Sequence, residues 1–266
     1  MAAEQEKTMN TRPYRIGQIV PSSNLTMETE IPALLAARQL IRPERFTFHS
    51  ARMRMKTVRK EELASMDAQS DRCALELSDA HVDVLGYACL VATMSMGLGY
   101  HRVSEKRLHE CTQANDGPAP VVTSAGALVD GLRVLKARRI VLVAPYMKPL
   151  TRLVVDYLQN EGYEVIDHIA LEIPDNLDVA RHDPARLPSI VAGLNYADAD
   201  AIVTSACVQM PSLPVIPRIE ALTGKPVLSA AVATTYAMLD RLGLETIAPG
   251  GGALLSGAYW QPAAEK

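Results

Sequence analysis

Two cysteines stand where the chain could hold reactive thiols. Cys89 and Cys207 each end a short apolar run, VDVLGYAC and DAIVTSAC, six or seven residues beyond an aspartate. Each also lies inside a charge-free window, 84–100 and 201–217. A thiol has an ordinary pKa of about 8.5, and the N–H groups at a helix N-terminus favour its thiolate form. Two such thiols at strand ends predict nucleophilic or proton-transfer chemistry, although a buried thiol that only packs in the core is the alternative for each taken alone.

Polar residues that could hold an anion follow the first predicted strand. Ser22, Ser23 and Asn24 come directly after it, and Thr26 opens a helical pattern. Hydroxyls, a carboxamide and unpaired helix N–H groups together form an anion cradle that needs no Lys or Arg. The same composition would serve equally well as an ordinary helix N-cap. The spacing leaves both interpretations open.

Two further polar residues follow strands in the second half of the chain. Tyr146 lies in APYMKP, just past its strand, and Asn176 lies downstream in LEIPDN. A phenol and a carboxamide at such positions could bind a ligand. Taken alone, each is better explained by local structure, with Asn as a turn former and Tyr as a half-buried lid.

The other potentially reactive residues point to no metal and no cofactor. Cys73 lies in the helical stretch DRCALEL and Cys111 in LHECTQ, and both are predicted to be core thiols. The four cysteines show neither a CxxC pair nor metal-ligand spacing, and the chain has no complete dinucleotide fingerprint, Walker lysine or zinc-binding helix motif. His101 follows the Cys89 window and is the one histidine that we keep as a candidate.

The composition favours a globular protein that works on small molecules. Of the 266 residues, 48% are apolar and 5% aromatic, so the core must consist mainly of aliphatic side chains. The net charge of −3 provides no basic surface for nucleic acid or an anionic membrane. Residues 1–10 are polar and unlike a signal peptide, and no apolar stretch resembles a membrane span. We therefore expect a cytoplasmic protein with free thiols.

The elements that must position these residues alternate between strand and helix. Strands are predicted over 15–20, 45–49, 82–87, 121–123, 139–144, 163–167, 201–205 and 225–228. Helices are predicted over 26–37, 60–80, 125–136, 149–161, 184–197 and 230–242. This alternation indicates an α/β fold with mostly parallel sheets, whose ligands bind at the carboxyl ends of the strands. The echo between the cysteine windows predicts two pseudo-symmetric lobes, 12–120 plus 226–266 and 121–225, with the active site in the cleft between them.

Several motifs together give the chain a family resemblance over nearly its whole length. They are RIGQIVPSSNLTMETEIPALL, VLGYACLVATMSMGLGYH, VLVAPYMKPLT, LEIPDN and SACVQMPSLP. In these the chain closely resembles the maleate cis-trans isomerases of the aspartate/glutamate racemase superfamily. The resemblance implies two α/β lobes with one active-site cysteine each, a homodimer, no cofactor, maleate as the dicarboxylate substrate, and a role in nicotinate degradation.

The resemblance also implies a role for each site residue. Cys89 matches the nucleophile of the family and Cys207 the assisting thiol, while Asn24, Tyr146 and Asn176 match the residues that bind the substrate carboxylates. Backbone amides and side chains at five further positions complete the implied site: Ser22, Ser23, Val91, Val208 and Gln209.

The implied reaction converts maleate to fumarate through a covalent intermediate. Addition of the Cys89 thiolate to the double bond makes C2–C3 a single bond, rotation follows, and elimination releases the trans product. Cys207 either transfers a proton or only shapes the pocket. The alternatives are a two-cysteine amino-acid racemase, an arylmalonate decarboxylase, a non-catalytic dicarboxylate-binding protein and a dithiol redox sensor.

Overall fold

The chain forms two four-stranded sheets in which all paired strands are parallel. The computed structural model describes residues 12–58 and 60–260. The first sheet contains β1 (Tyr14–Pro21), β2 (Phe46–Met53), β3 (Val84–Tyr87) and β4 (Val121–Thr123). The second contains β5 (Arg139–Ala144), β6 (Glu164–Ala170), β7 (Ala201–Ser205) and β8 (Val227–Ser229). The strand orders β2-β1-β3-β4 and β6-β5-β7-β8 are equivalent, so the predicted α/β fold with two pseudo-symmetric lobes is confirmed.

Helices connect the strands and cover the sheets. They are α1 (Met27–Arg38), α2 (Lys60–Asp67), α3 (Ser70–Ser78), α4 (Leu90–Ser95), α5 (Tyr100–Ala114), α6 (Ser124–Val134), α7 (Lys148–Asn160), α8 (Asn176–Ala180), α9 (Leu187–Ala192), α10 (Ile216–Thr223) and α11 (Ala230–Arg241). The single helix predicted over 60–80 is in fact two helices, α2 and α3. Four helices, α4, α5, α8 and α10, have no predicted counterpart: α4, α8 and α10 have at most eight residues, and the sequence of α5 is mostly polar.

The central strands are the most apolar because both of their faces are covered. Every residue of β3 and β7 is buried, and β5 is buried except at its first residue. Strands of a parallel sheet between helix layers have this continuous apolar character. The edge strand β6 has no fully buried residue. The thiol-bearing turns therefore follow rigid central strands.

The sheets correct the predicted lobe boundaries at two strands. β4 was assigned to the second lobe but pairs with β3 of the first sheet, and β8 was assigned to the first lobe but pairs with β7 of the second. The reason is that the chain passes from one lobe to the other through the helix that follows each of these two strands, α6 after β4 and α11 after β8. From the second lobe, the Tyr163 hydroxyl donates to the Val129 carbonyl of α6 at 2.6 Å, while α11 packs against α1 and β3. Residues 261–266 of the predicted first lobe lie outside the described residues.

A buried carboxylate joins the two lobes. Glu30 of α1 accepts hydrogen bonds from the backbone N–H groups of Ser212 and Leu213 in the second lobe, each at 2.6 Å. Buried main-chain donors need hydrogen-bond partners, and Glu30 provides them for two N–H groups of the second-lobe loop that follows Cys207. In the described part of the chain, no helix combines the length and the apolar character that crossing a membrane requires.

Candidate active site

Cys89 lies in a strained turn between β3 and α4. Its backbone has φ 85° and ψ 74°, a left-handed conformation that residues with a Cβ rarely adopt. The N–H of Ala92, in the first turn of α4, interacts with the Cys89 sulfur. Strained backbone of this kind costs about 1–3 kcal/mol and is found most often at functional sites. The turn directs the thiol toward the second lobe.

Cys207 occupies the equivalent position after β7. Its sulfur accepts a hydrogen bond from the Gln209 N–H at 3.4 Å and interacts with the N–H of Met210. The Tyr146 hydroxyl donates to the Ala206 carbonyl at 3.1 Å and also lies against the Cys207 sulfur. Two backbone N–H groups and a phenol therefore lie around this sulfur.

Both thiols line one small cavity between the lobes, with a volume of about 20 Å³. The residues around it are Pro21, Asn24, Met55, Val58, Cys89, Val91, Tyr146, Asn176, Cys207, Val208 and Gln209. None of these lining residues of the described chain carries a charged side chain. The structure thus brings together eight of the ten residues predicted from the sequence. Pro21, Met55 and Val58 were missed, because apolar residues give no chemical signal.

Burial controls the protonation of both thiols. Burial, opposed by the Ala92 N–H and aided by smaller contributions from Cys207 and Asp67, raises the pKa of Cys89 to about 12. Burial also raises the pKa of Cys207, although the Tyr146 hydroxyl and two backbone N–H groups oppose the shift. The expectation that a strand-end position favours the thiolate is therefore wrong for the substrate-free site, where desolvation outweighs the local N–H groups.

Cys89 of the substrate-free protein is expected to react slowly with iodoacetamide at neutral pH. Its alkylation rate should rise about tenfold per pH unit to about pH 10, because only the thiolate reacts and the raised pKa keeps its fraction small throughout this range. Peptide mass spectrometry separates Cys89 from the other cysteines. A rate that levels off near pH 8.5, as for an ordinary thiol, would contradict the raised pKa.

The three polar side chains predicted to bind carboxylates all line the cavity. The Asn24 side-chain oxygen accepts from the Met27 N–H at 3.0 Å, which caps α1 and leaves the NH₂ group as a donor. The Asn176 NH₂ group donates one hydrogen to the Ser23 hydroxyl at 2.8 Å and keeps a second. These two amides offer neutral donors to an anion, and the Tyr146 hydroxyl joins them when its single hydrogen turns from the Ala206 carbonyl toward the anion.

Gln209 is a clamp between the lobes. Its side-chain oxygen accepts from the N–H groups of Leu25 and Thr26, at 2.8 and 3.4 Å. Its NH₂ group donates to the carbonyls of Ser23 and Asn176, each at 2.8 Å. An amide side chain has two acceptor sites and two donor hydrogens, so this one is fully used. The helix N–H groups that the sequence suggested as an anion cradle are thus partly occupied by Gln209.

The two serines predicted at this site brace it from outside the cavity. The Ser22 hydroxyl accepts from the Met55 N–H at 3.0 Å and lies 3.2 Å from the Met55 carbonyl, which it can bond as donor. Ser23 accepts from Asn176, as described above. Neither serine is among the residues that line the cavity. Their contribution is to position Met55 and Asn176, which do line it.

Replacing Gln209 by Leu is expected to lower the free energy of unfolding by on the order of 3 kcal/mol. The change leaves two N–H groups and two carbonyls without their partner, and each unsatisfied buried group costs about 1–3 kcal/mol before water compensates. Urea titration measures the effect. The matched control is Gln159→Leu on the exposed face of α7, which should change stability by no more than about 0.5 kcal/mol. Equal stability of the two variants would show that the clamp contributes nothing.

The remaining candidates lie away from the cavity. Cys73 is buried in α3 and Cys111 is half-buried in α5, and neither contributes to the lining. His101 is buried against the Tyr157 hydroxyl, 2.5 Å from its Nδ1 atom. Among the described residues, no group of His, Cys, Asp and Glu side chains has an arrangement that could hold a metal ion.

A parallel two-lobed α/β fold with one thiol from each lobe in a shared cavity defines a class of cysteine-dependent enzymes. A family model described as arylmalonate decarboxylase matches residues 16–255. The chain is 73% identical over 249 residues to a maleate isomerase of Pseudomonas putida, covering 94% of this chain and 100% of that relative. The chain therefore belongs to the maleate isomerase family, and the proteins of that family are enzymes.

Two solved structures are similar in both sequence and fold. A cysteine-to-alanine variant of a maleate isomerase from a second Pseudomonas putida strain, crystallised with maleate, superposes with a TM-score of 0.92 at 68% identity, covering 93% of this chain and 99% of that one. A cysteine-to-serine variant of the Nocardia farcinica maleate cis-trans isomerase has a covalently bound succinylcysteine intermediate. It superposes with a TM-score of 0.89 at 47% identity, covering 92% and 98%.

Proposed function

We propose that this enzyme converts maleate to fumarate by covalent catalysis, with Cys89 as the nucleophile and Cys207 as the proton-transfer group. The observation that carries the proposal is the cavity between the lobes, where a thiol from each lobe meets neutral donors and no charged side chain. The succinylcysteine in the Nocardia farcinica relative supports the covalent step, since in that protein one cysteine is serine while another holds the adduct.

Neutral donors suit a substrate that must share its site with a developing negative charge. Asn24, Tyr146 and Asn176 hydrogen-bond the maleate carboxylates, and the charge that forms during addition passes into one of them. Donors that are already oriented stabilise this charge without reorganising, as Asn24 is by its bond to Met27. A fixed cation would bind maleate, fumarate and the intermediate alike, and such uniform binding does not accelerate the chemical step.

The raised pKa values of both thiols favour a relay between them. As the Cys89 sulfur bonds to C2, the π electrons take a proton from Cys207 at C3, and the proton of Cys89 passes to Cys207. The sum is one S–H added across the double bond, giving a succinyl group on Cys89. Rotation about the C2–C3 single bond follows. The reverse relay then removes the proton from C3, breaks the C–S bond and releases fumarate with both thiols restored.

The cavity disfavours a two-cysteine amino-acid racemase. Such an enzyme must hold the substrate ammonium group, for which a carboxylate is the usual partner. The residues that line the cavity in the described chain include none. The homodimer and the role in nicotinate degradation are proposals that depend on the family resemblance alone, and the cytoplasmic location is a proposal that depends on the sequence analysis above.

Proton NMR of maleate with the purified protein tests the function. Fumarate should appear without any added cofactor, and the same protein should equilibrate the two acids when fumarate is the starting material. Heat-inactivated protein is the control for uncatalysed conversion. A folded protein that leaves maleate unchanged would contradict the proposal.

A further inference from the structure

A buried cluster of polar side chains lies behind Cys89, outside the cavity. Its centre is Asp67 at the C-terminal end of α2, which is 2% exposed. One carboxylate oxygen accepts from the Tyr87 hydroxyl at 2.9 Å. The other accepts from the Tyr100 hydroxyl at 2.8 Å and from the Arg107 guanidinium at 3.2 Å. The cluster thus joins α2, β3 and α5 at one point.

The cluster is tied to the nucleophile through the main chain. Tyr87 is the last residue of β3, fully buried, and only Ala88 separates it from Cys89. A buried phenol must keep a hydrogen-bond partner, so Asp67 fixes where the Tyr87 side chain lies. The strained backbone of Cys89 persists only if the surrounding structure holds it, and the Tyr87–Asp67 bond holds its N-terminal side.

The cluster also places charge behind the thiol. The negative charge of Asp67 acts on the Cys89 thiol, and Arg107 of α5 offsets part of that charge. The same guanidinium contacts the half-exposed Asp71 of α3 at 3.1 Å. The other titratable groups that interact with Cys89 are Cys207, Tyr87 and Tyr146.

We propose that Asp67 is a positioning residue for Cys89: it fixes the end of β3 through Tyr87 and places a negative charge behind the thiol. The inference rests on the proposed role of Cys89 as nucleophile. Two effects follow, a geometric one through Tyr87 and an electrostatic one through the carboxylate, and different variants separate them. Asp67→Asn removes the charge while preserving shape and an acceptor oxygen. Tyr87→Phe removes the bond and keeps the charge.

The electrostatic effect is measured by iodoacetamide labelling of Cys89 in substrate-free protein, which does not depend on turnover. Asp67→Asn should label at least about twofold faster at pH 8, because losing a like charge lowers the pKa of the thiol. Asp71→Asn is the matched control and should label at the parent rate, since Asp71 contacts Arg107 but not Tyr87. A folded Asp67→Asn protein with the parent labelling profile from pH 7 to 10 would overturn the electrostatic part.

The geometric effect is measured by maleate turnover. Tyr87→Phe should lower kcat about tenfold or more with little change in KM, because misplacing a nucleophile slows the reaction step more than binding. Its labelling profile against pH should remain that of the parent. If Asp67→Asn does not fold, Tyr87→Phe alone tests the proposal, and a kcat equal to that of the parent enzyme would overturn it. Failure of the parent enzyme to form fumarate would instead contradict the proposed function, and labelling would still report on Asp67.

Discussion

A Cys89→Ala variant will bind maleate but form no fumarate above the uncatalysed background, a loss on the order of 10⁴-fold or more in kcat. Alanine removes the sulfur that must bond to C2, and it leaves Cys207 without the partner thiol of the relay. The variant keeps the three residues proposed to donate hydrogen bonds to the substrate carboxylates, Asn24, Tyr146 and Asn176, so it should still bind maleate. NMR follows turnover, and isothermal titration with maleate follows binding.

Cys73→Ala is the matched control for this experiment. It removes a buried thiol from the same lobe but outside the cavity, and we expect a kcat close to that of the parent. In the parent enzyme quenched during turnover, mass spectrometry should find a succinyl group on the peptide containing Cys89. Fumarate production by the folded Cys89→Ala variant would refute the covalent mechanism.

A Cys207→Ser variant should lose about 10²- to 10⁴-fold in kcat while its KM for maleate changes little. A hydroxyl is a much weaker acid than a thiol, so proton delivery to C3 and its later removal both become slow, and positioned acid–base groups contribute about this much to rate. The succinyl group on Cys89 should then accumulate, and intact-protein mass spectrometry measures it.

Cys111→Ala serves as the control for the second thiol, because Cys111 is half-buried in α5 and distant from the cavity lining. It should neither slow turnover nor accumulate the adduct. A succinyl group found on Cys207 in the parent enzyme would reverse the assigned roles. A Cys207→Ser variant that turns over maleate as fast as the parent enzyme would show that Cys207 transfers no proton and only shapes the pocket.

The sequence predicted the framework of the site well because its signals are local. Apolar runs of strand length predicted all eight strands, and the residues that follow β1, β3, β5 and β7 predicted where polar groups and thiols meet. Val91 and Val208 line the cavity because each closely follows its cysteine. Positions fixed by chain order alone could therefore be read from the sequence.

Contacts between distant segments could not be read in this way. Gln209 uses its whole amide to hold four main-chain groups, and nothing in SACVQMP distinguishes such a clamp from a substrate ligand. Asp67 is one of several acidic residues in the predicted helix 60–80, and nothing in the sequence sets it apart, yet it joins three elements. The raised pKa of Cys89 likewise depends on burial by both lobes.

The left-handed backbone of Cys89 lowers the stability of the protein at the one position where the reaction needs a sulfur. Glycine adopts φ near 85° without the penalty that a Cβ incurs, so at this single position the least strained residue is one that has no sulfur. Random mutagenesis selected only for a higher free energy of unfolding would favour glycine at this position, and the resulting protein would be more stable but inactive. Cysteine can persist at position 89 only while selection acts on the reaction itself.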